Sequence, residues 1–321
     1  MKESAFGLLK MVFPVIDALT ALMVYPAALL MKQLRVIGIE KFPCCKKVLL
    51  RVGVFPILDH YYEPLFDAAR LDSGAGKKRE LKGIDWNLTE QLRLLQSFEF
   101  GGELHDVPTS KQDETTFHIN NDSFGSGDAE YLYNLIRLKK PKRIFEIGSG
   151  NSTLIAAKAV KKNREKESGY HCKHVCIEPY EMPWLEKIGV SVLRQKVECI
   201  PKEFFLELAV DDLLFIDSSH IIRPQGDVLY EYLELLPALN SGVIVHIHDI
   251  FSPNDYSNLC QGLGRFWNEQ YLLEAFLMSN SEWEILGSLN YLQHNHYQEL
   301  KENCLFLTPE REPGSFYLRK K

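Results

Sequence analysis

Apolar runs separated by helical stretches recur after residue 143, and this alternation constrains the fold more than any other feature of the sequence. The runs occupy residues 144–147, 174–177, 190–193, 213–216 and 243–247, and helical patterns begin between them near Ser152, Tyr180, Pro201 and Pro224. Strands that alternate with helices favour an α/β fold with a doubly wound, mostly parallel sheet, whose ligands bind at the carboxyl ends of the strands. Two later strands, near 282–286 and 304–307 with 315–318 as a rival or an addition, would bring the sheet to seven strands.

The turn that follows the first run, EIGSGNST, restricts the ligand. Gly148 and Gly150 match the first two glycines of the dinucleotide-binding fingerprint, but Thr153 stands at the third, where glycine allows close helix packing. No Lys-Ser or Lys-Thr pair follows at the spacing of a triphosphate-binding loop. Glu146 ends the strand directly below the turn, where its carboxylate would repel a pyrophosphate and attract an ammonium or sulfonium group. The turn therefore favours S-adenosylmethionine over a phosphate-bearing nucleotide.

Other polar residues also end predicted strands. Glu178 follows the second run, where a carboxylate can accept both hydroxyls of a ribose; NAD enzymes use the same device, so Glu178 indicates a ribose rather than one cofactor. The runs at 213–216 and 243–247 are followed by Asp217, His220, His248 and Asp249. If these two strands are neighbours, all four side chains meet at one rim of the sheet. His246 lies deeper in the strand, and we expect it to be a core histidine.

The composition narrows the class of partner. The 321 residues carry a formal net charge of -6 with scattered lysines and arginines, whereas binding along a nucleic acid needs a concentrated basic face. We therefore expect a small-molecule partner and no nucleic acid. The seven cysteines form no CxxC pair and no zinc-binding spacing, so we expect reduced thiols in a cytosolic compartment.

Residues 11–31, MVFPVIDALTALMVYPAALLM, form an apolar stretch long enough to cross the hydrocarbon core of a bilayer, although they include Asp17 and two prolines. The stretch lacks the small-residue cleavage site of a secretory signal. Lys10 precedes it and six basic residues follow it within 32–51, so a spanning form would keep the larger C-terminal part in the cytoplasm. Two interpretations stay open: attachment to the inner face of a membrane, and a helical hairpin that packs on the enzyme or pairs protomers into a homo-oligomer.

The chain as a whole divides into three expected regions: the hydrophobic segment 1–35, a helical extension or lid at 36–119, and a ligand-binding domain at 120–321. Residues 85–89 precede an amphipathic leucine pattern, and the charged stretch 77–83 is interpreted as a linker. Ser126-Gly127-Asp128 is expected to cap a helix over 129–138. The aromatic stretch 59–66, DHYYEPLF, is expected to pack in a core, with a lid over the ligand pocket as the alternative.

Four motifs resemble those of one enzyme family. FEIGSGNST (145–153), CIEP (176–179), LLFIDSSH (213–220) with Gly226-Asp227, and SGVIVHIHDIF (241–251) resemble, in this order, the motifs of class I S-adenosylmethionine-dependent methyltransferases. The likeness is closest to the small-molecule O-methyltransferase-like branch called methyltransferase family 24, and it covers about residue 120 to the C-terminus. It implies a Rossmann-like core, S-adenosylmethionine as cofactor, and methyl transfer to a small-molecule acceptor, expected at oxygen.

The resemblance also implies places for the parts of the cofactor. The methionine part would lie among Glu146, Gly148 and Gly150, with Ser152 or Thr153 near its carboxylate. Glu178 would hold the ribose, and Val197 and Glu198 are the expected neighbours of the adenine.

Two catalytic routes stay open. In the first, Asp217, His248 and Asp249 bind a divalent ion, Mg or Mn, that lowers the pKa of an acceptor hydroxyl; Ile250 stands where catechol-type relatives have an amide ligand. In the second, His220 or His248 is the general base and Asp217 or Asp249 orients it. The alternatives to an enzyme of this kind are a non-catalytic S-adenosylmethionine-binding module at a membrane or partner, and an NAD-dependent oxidoreductase, which Glu146 and Thr153 disfavour.

Overall fold

The structure is a computed structural model that describes residues 2–66, 78–180, 182–256 and 264–321, with side chains from residue 12 onward. It divides into two compact units, Met1–Asp72 and Ser73–Lys321, each of which is described by itself. The boundaries predicted after residues 35 and 119 fall inside these units and stay a prediction. Cys260 and the first residue of the predicted linker, Lys77, lie outside the described residues.

The first unit is built on a long helix, α1 (Lys2–Ile37), followed by a short 3-10 turn and α2 (Pro43–Val52). Residues 11–31 therefore lie in one continuous helix and do not form a helical hairpin. The segment Val12–Ile37 has a mean hydropathy of 1.8, and none of it is buried. Tyr61 and Tyr62 are 84% and 81% exposed, so the expectation that the aromatic stretch 59–66 packs in a core is wrong at these two rings.

The second unit contains a sheet of seven strands in the order β3-β2-β1-β4-β5-β7-β6. Strand β7 runs antiparallel to the other six. The strands are β1 (Arg143–Ile147), β2 (Lys173–Ile177), β3 (Ser191–Leu193), β4 (Leu213–Ile216), β5 (Ile244–Ile247), β6 (Trp283–Ser288) and β7 (Phe316–Lys320). The predicted doubly wound sheet is confirmed. The strand expected at 304–307 is wrong, because these residues follow a helix directly and close a turn in which Leu307 N–H donates to Cys304 O at 3.1 Å.

The helices of the second unit cover both faces of the sheet. They are α3 (Leu88–Gln96), α4 (Asp128–Lys139), α5 (Asn151–Lys166), α6 (Asp227–Tyr230), α7 (Leu236–Ala238), α8 (Glu269–Leu277), α9 (Leu289–Asn295) and α10 (Tyr297–Asn303), with a π-helical turn, Glu231–Leu235, between α6 and α7. The helices expected near Tyr180 and Pro201 are only short 3-10 segments, Leu185–Lys187 and Lys202–Glu207. Pro183 and Gly189 bracket the first of these, and both residue types interrupt helices.

The two faces of β1 belong to different cores. Ile144 packs in the core on the side of α4 and α5, whereas Phe145 packs in the core on the side of α6 to α8. Because side chains alternate along a strand, Glu146 points to the same side as Ile144, toward α5. The Glu146 carboxylate therefore lies on the side of the sheet that α5 covers.

Candidate functional site

The turn between β1 and α5 requires glycine at one position. Gly148 has a φ of +75°, and a Cβ built there would lie 1.9 Å from the carbonyl oxygen of Asp217. Gly150 has an extended φ of 176°, and a Cβ there would first meet Met182 Cε at 3.7 Å, an ordinary contact. Only Gly148 therefore needs to lack a side chain, and it brings the turn against the segment after β4.

A buried clasp holds the turn from below. Thr153 Oγ1 donates to Glu146 Oε2 at 2.5 Å and accepts the Gly150 N–H at 3.0 Å. Glu146 and Thr153 are both fully buried, and Ser152 is 4% exposed. The threonine that breaks the dinucleotide fingerprint thus fixes the turn through Glu146, and none of these three residues lines the cavity that opens above it.

A cavity of about 380 Å³ lies at the carboxyl ends of β1, β2 and β4. It is lined by Ile147, Gly148, Ile177, Glu178, Pro179, Tyr180, Lys196, Val197, Glu198, Asp217, Ser218, Ser219, Arg223 and Asp227. Four predicted ligand-binding residues, Gly148, Glu178, Val197 and Glu198, are among them. The lining holds four carboxylate residues and two basic ones, a balance that suits a cationic ligand better than a pyrophosphate.

A rim cluster of Asp217, His220, Asp249 and Glu269 stands beside this cavity. The register pairs Ile216 with Ile247, so the polar residues after β4 and β5 meet, as predicted. His220 Nε2 lies 3.2 Å from Asp217 Oδ1 and 3.5 Å from Asp249 Oδ2, while its Nδ1 lies 2.8 Å from Glu269 Oε2. The imidazole is thus held by carboxylates at both of its nitrogens.

Residues 145–250 match the family model described as a methyltransferase domain. The chain carries a class I S-adenosylmethionine-dependent methyltransferase domain. Its cofactor is S-adenosylmethionine. The matched residues include the turn, the carboxylate after β2 and both aspartates of the rim cluster.

The methyltransferase is also similar to other known proteins. An uncharacterized protein from Archaeoglobus fulgidus is 28% identical over 159 residues, which are 46% of this chain and 70% of that protein. An O-methyltransferase from Bacillus cereus in complex with SAH has a TM-score of 0.34 at 15% identity, covering 73% of this chain and 91% of that one. The TDP-rhamnose 3′-O-methyltransferase of calicheamicin biosynthesis has a TM-score of 0.37 at 13% identity, covering 75% and 99%.

Backbone strain marks the rim cluster of the methyltransferase. His220 and Asp249 both have positive φ, 60° and 55°, a conformation that non-glycine residues seldom adopt. Close packing holds Asp249 there, because a Cβ at Gly314 would lie 3.1 Å from Asp249 Cα and Ile250 N–H donates to Gly314 O at 2.8 Å. Two strained residues on facing loops are typical of a functional site.

The charges of the rim cluster stabilise one another. Burial opposes the charge of Asp217, but the attraction of His248 and the hydrogen bond with His220 outweigh it and lower the pKa of Asp217 to about 2. Burial lowers the pKa of His220, but the hydrogen bonds and charges of Asp217 and Glu269 outweigh this, so its pKa lies well above the ordinary imidazole value. The cluster therefore favours an imidazolium between carboxylates.

The structure brings His220, and not His248, between the two aspartates. One donor atom from each of Asp217, His220 and Asp249 lies within 4.8 Å of the others, whereas the metal set expected from the sequence contained His248. His248 Nε2 lies 3.2 Å from the carbonyl oxygen of Ser123 and 3.8 Å from Asp249 Oδ1. His220 reaches the aspartates because its positive φ reverses the chain after β4, which a pattern of apolar runs does not reveal.

Two further histidine and carboxylate placements complete the site. His246 is fully buried and stacks on Tyr317 with ring centroids 4.6 Å apart, and burial lowers its pKa well below the ordinary value, as expected of a core histidine. Glu269 was missed by the sequence analysis, because it begins α8 without a motif or a preceding apolar run. Tyr232 donates to Glu269 Oε1 at 3.0 Å, which fixes the carboxylate that faces His220.

Proposed function

We propose that the methyltransferase transfers a methyl group to a hydroxyl oxygen of a small molecule, with His220 as the proton acceptor. The observation that carries this proposal is the placement of His220 between Asp217, Asp249 and Glu269 beside the cavity. A hydroxyl is a weak nucleophile until it loses its proton, and the neutral form of His220, which is populated above its raised pKa, can take that proton. His248 is a weaker candidate because its Nε2 faces a backbone carbonyl.

Residues on the cavity wall support the cofactor placement. Gly148 lines the cavity at the turn, and Glu178, whose Oε1 accepts the Tyr180 N–H at 3.0 Å, stands where a carboxylate can accept hydrogen bonds from ribose hydroxyls. Glu198 lies on the same wall and would face the adenine end. S-adenosylmethionine supplies a methyl group on a positively charged sulfur, which an acceptor oxygen attacks in line.

The rim cluster would move one proton. The acceptor hydroxyl donates its proton to His220 Nε2 as the oxygen attacks, and Glu269 keeps the ring oriented through Nδ1. Asp217 and Asp249 then stabilise the imidazolium that forms, since their carboxylates already lie within 3.5 Å of the ring. Glu146 and Thr153 position the cofactor turn from below without touching the reacting atoms.

A second route is favoured by the donor set itself. Asp217, His220 and Asp249 combine two carboxylates and an imidazole, a set that fits a divalent ion such as Mn better than Mg. Such an ion would lower the pKa of the acceptor hydroxyl. In this route His220 binds as a neutral ligand and Glu269 accepts its Nδ1–H, so the two routes differ in their response to chelators.

Calorimetric titration of the full chain with S-adenosylhomocysteine, against NAD, tests the cofactor. We expect micromolar binding of S-adenosylhomocysteine alone; preference for NAD would overturn the assignment. A screen of hydroxyl compounds for S-adenosylhomocysteine release then tests the reaction, with and without EDTA or added Mn. The His220→Ala variant should keep cofactor binding and lose turnover, whereas His294→Ala, at an exposed ion pair, should change neither. A non-catalytic module would give no release with any acceptor.

We also propose that α1 attaches the methyltransferase to the inner face of a membrane. Its apolar segment of 26 residues is about 39 Å long, enough to cross a hydrocarbon core of about 30 Å. Exposed Lys46 and Lys47 on α2 are suited to anionic lipid headgroups. The full chain should float with vesicles that contain phosphatidylserine, and Leu22→Asp with Leu29→Asp should abolish flotation. Leu233→Asp, at an exposed leucine of the second unit, is the control. A soluble parent chain would contradict the proposal.

A further inference from the structure

A second group of metal-binding side chains lies under the cofactor turn. Glu146 on β1 is paired in register with Cys176 on β2, and His174 lies two residues earlier on the same face of β2. The exposed fractions of Glu146, His174 and Cys176 are 0%, 7% and 0%. We call these three residues the buried cluster. The sequence does not reveal it, because its members come together through strand pairing and not through cysteine spacing.

The distances in the buried cluster match those between ligands of one ion. Glu146 Oε1 lies 3.3 Å from His174 Nε2, and Cys176 Sγ lies 3.7 Å from Glu146 Oε2. One donor atom of each residue lies within 4.8 Å of the other two. Tetrahedral zinc, with bonds of about 2.0–2.3 Å, holds its ligand atoms about 3.3–3.8 Å apart. Since the two short distances involve different oxygens of Glu146, the Cys176 thiol must move toward Glu146 Oε1 for all three residues to share an ion.

Several polar atoms of this region have no hydrogen-bond partner among the described residues. Glu146 Oε1, His174 Nε2 and Ser149 Oγ are all buried in this condition. A buried polar atom without a partner costs about 1–3 kcal/mol, so three of them converging on one thiol call for an occupant that they share. A His–Glu ion pair alone would use two of these atoms and leave the Ser149 hydroxyl, while the Cys176 thiol donates to the other Glu146 oxygen, Oε2, at 3.7 Å.

We propose that Glu146, His174 and Cys176 bind a zinc ion, with Ser149 Oγ or a water molecule as the fourth ligand. Thiolate, imidazole and carboxylate are the three ligand types that zinc takes in proteins, and the two anions balance its charge. Binding breaks the S–H bond of Cys176, forms an S–Zn bond and releases the proton to solvent. The ion ties β1 to β2 beneath the cofactor turn, while the other oxygen of Glu146 continues to hold Thr153.

A second cavity borders the cluster. His174 also lines a second cavity of about 590 Å³, whose wall includes Lys158 and Arg164 of α5 together with residues 188–190. This cavity does not share a lining residue with the one that contains Gly148 and Glu178. The cavity beside the buried cluster is therefore separate from the proposed cofactor cavity, and zinc binding does not depend on the proposed methyl transfer.

Cobalt substitution of the full chain tests the proposal. After dialysis against a chelator, one equivalent of Co²⁺ should give the near-ultraviolet band of a thiolate–cobalt bond and the visible bands of tetrahedral cobalt. Cys176→Ser should lose the thiolate band. Cys172→Ser, at another buried thiol next to β2, and Asp249→Asn, in the rim cluster, should both keep it. No thiolate band in the parent chain, or a band that survives Cys176→Ser, would overturn the proposal.

Zinc content and affinity give a second readout that does not involve turnover. The chain purified from zinc-supplemented medium should contain about one equivalent of zinc, which must raise its melting temperature relative to the chelated chain. If Cys176→Ser does not fold, His174→Gln provides the same test, with an expected loss of at least 10-fold in zinc affinity. Equal affinity in parent and His174→Gln would exclude this site, whereas normal zinc binding without S-adenosylhomocysteine binding would overturn only the cofactor placement.

Discussion

The rim cluster and the buried cluster each combine a histidine with carboxylate on neighbouring parallel strands, the first after the ends of β4 and β5 and the second within β1 and β2. In the rim cluster the side chains of Asp217 and Asp249 are 34% and 25% exposed, so protons and ligands can reach them. In the buried cluster the side chains of His174 and Glu146 are 5% and 0% exposed. The same residue types are thus placed once for exchange with solvent and once away from it.

The partners of the two histidines differ in the same way. His220 has carboxylates at both ring nitrogens, one of them from α8. His174 Nε2 faces Glu146 without hydrogen-bond geometry. A fully partnered imidazole is suited to hold and pass a proton, whereas a convergent set of unpartnered donor atoms is suited to hold an ion. Hydrogen-bond partners and solvent access, and not residue type, therefore distinguish a site for proton transfer from a site for ion binding.

The largest expected effect comes from substituting each of the two histidines separately. His220→Ala should lower kcat by about 10²–10⁴-fold, because the proton acceptor is lost, while S-adenosylhomocysteine affinity changes little. His174→Gln should keep most of the turnover, since it touches no reacting atom. Rates of S-adenosylhomocysteine release with the acceptor found by the screen measure both. Equal losses in the two variants would break the distinction between the clusters.

Gly148 lies two residues after Glu146 of the buried cluster and packs against Asp217 of the rim cluster. Its substitution should give the next largest effect. Gly148→Ala should weaken S-adenosylhomocysteine binding by about 10-fold or more, because a Cβ would overlap the carbonyl of Asp217 and the positive φ would be strained. Gly150→Ala is the matched control, since its Cβ would meet only an ordinary contact. Calorimetric titration of both variants is the measurement, and a stronger effect at Gly150 would show that the turn is built differently.

Glu269→Gln sharpens the role of the carboxylate behind His220. Burial lowers the pKa of His220 while Asp217 and Glu269 raise it above the ordinary value, and the base form accumulates only above that pKa. In EDTA, kcat should therefore rise with pH. The variant should lose about 10-fold in maximal rate and shift the midpoint to lower pH, because one carboxylate that favours the imidazolium is gone. Glu234→Gln, at an exposed carboxylate, should leave the profile unchanged.

The smallest expected effect is on stability, from the buried hydrogen bonds that Thr153 makes with Glu146 and Gly150. Thr153→Val should lower the free energy of unfolding by about 1–3 kcal/mol, since Glu146 Oε2 loses its donor and Gly150 N–H its acceptor. Thr115→Val, at an exposed threonine that donates to Asp113, should stay within about 0.5 kcal/mol of the parent. Urea denaturation followed by circular dichroism compares them. A loss no larger than that of the control would mean that the clasp contributes nothing.

Much of the fold could be predicted because strands buried on both faces have near-continuous apolar sequences. The starts and ends of β1, β2, β4 and β5 were predicted to within a residue for that reason. The segment 304–307 is equally apolar, but only Cys304 and Leu307 are buried, by a turn after α10 and not by strand pairing. Apolarity reports burial, and it does not report which backbone geometry provides it.

The site could be predicted where a strand ends, and not where the backbone reverses. Gly148, Glu178 and Glu198 were expected at the ligand and line one cavity. The choice of His220 over His248 depends on a positive φ at residue 220, and Glu269 arrives from a helix that no motif marks. The inward direction of Glu146 follows from strand alternation, so it could have been inferred from the position of Ile144.

The contact between Gly148 and the Asp217 carbonyl joins main chain to main chain. Side chains have rotamers and can drift as sequences change, but two peptide units in contact keep their spacing. In the proposed cofactor placement, the scaffold thus sets the distance from the methyl donor to Asp217. Acceptor preference can therefore diverge through the loops above the sheet while the length of the methyl transfer step stays constant.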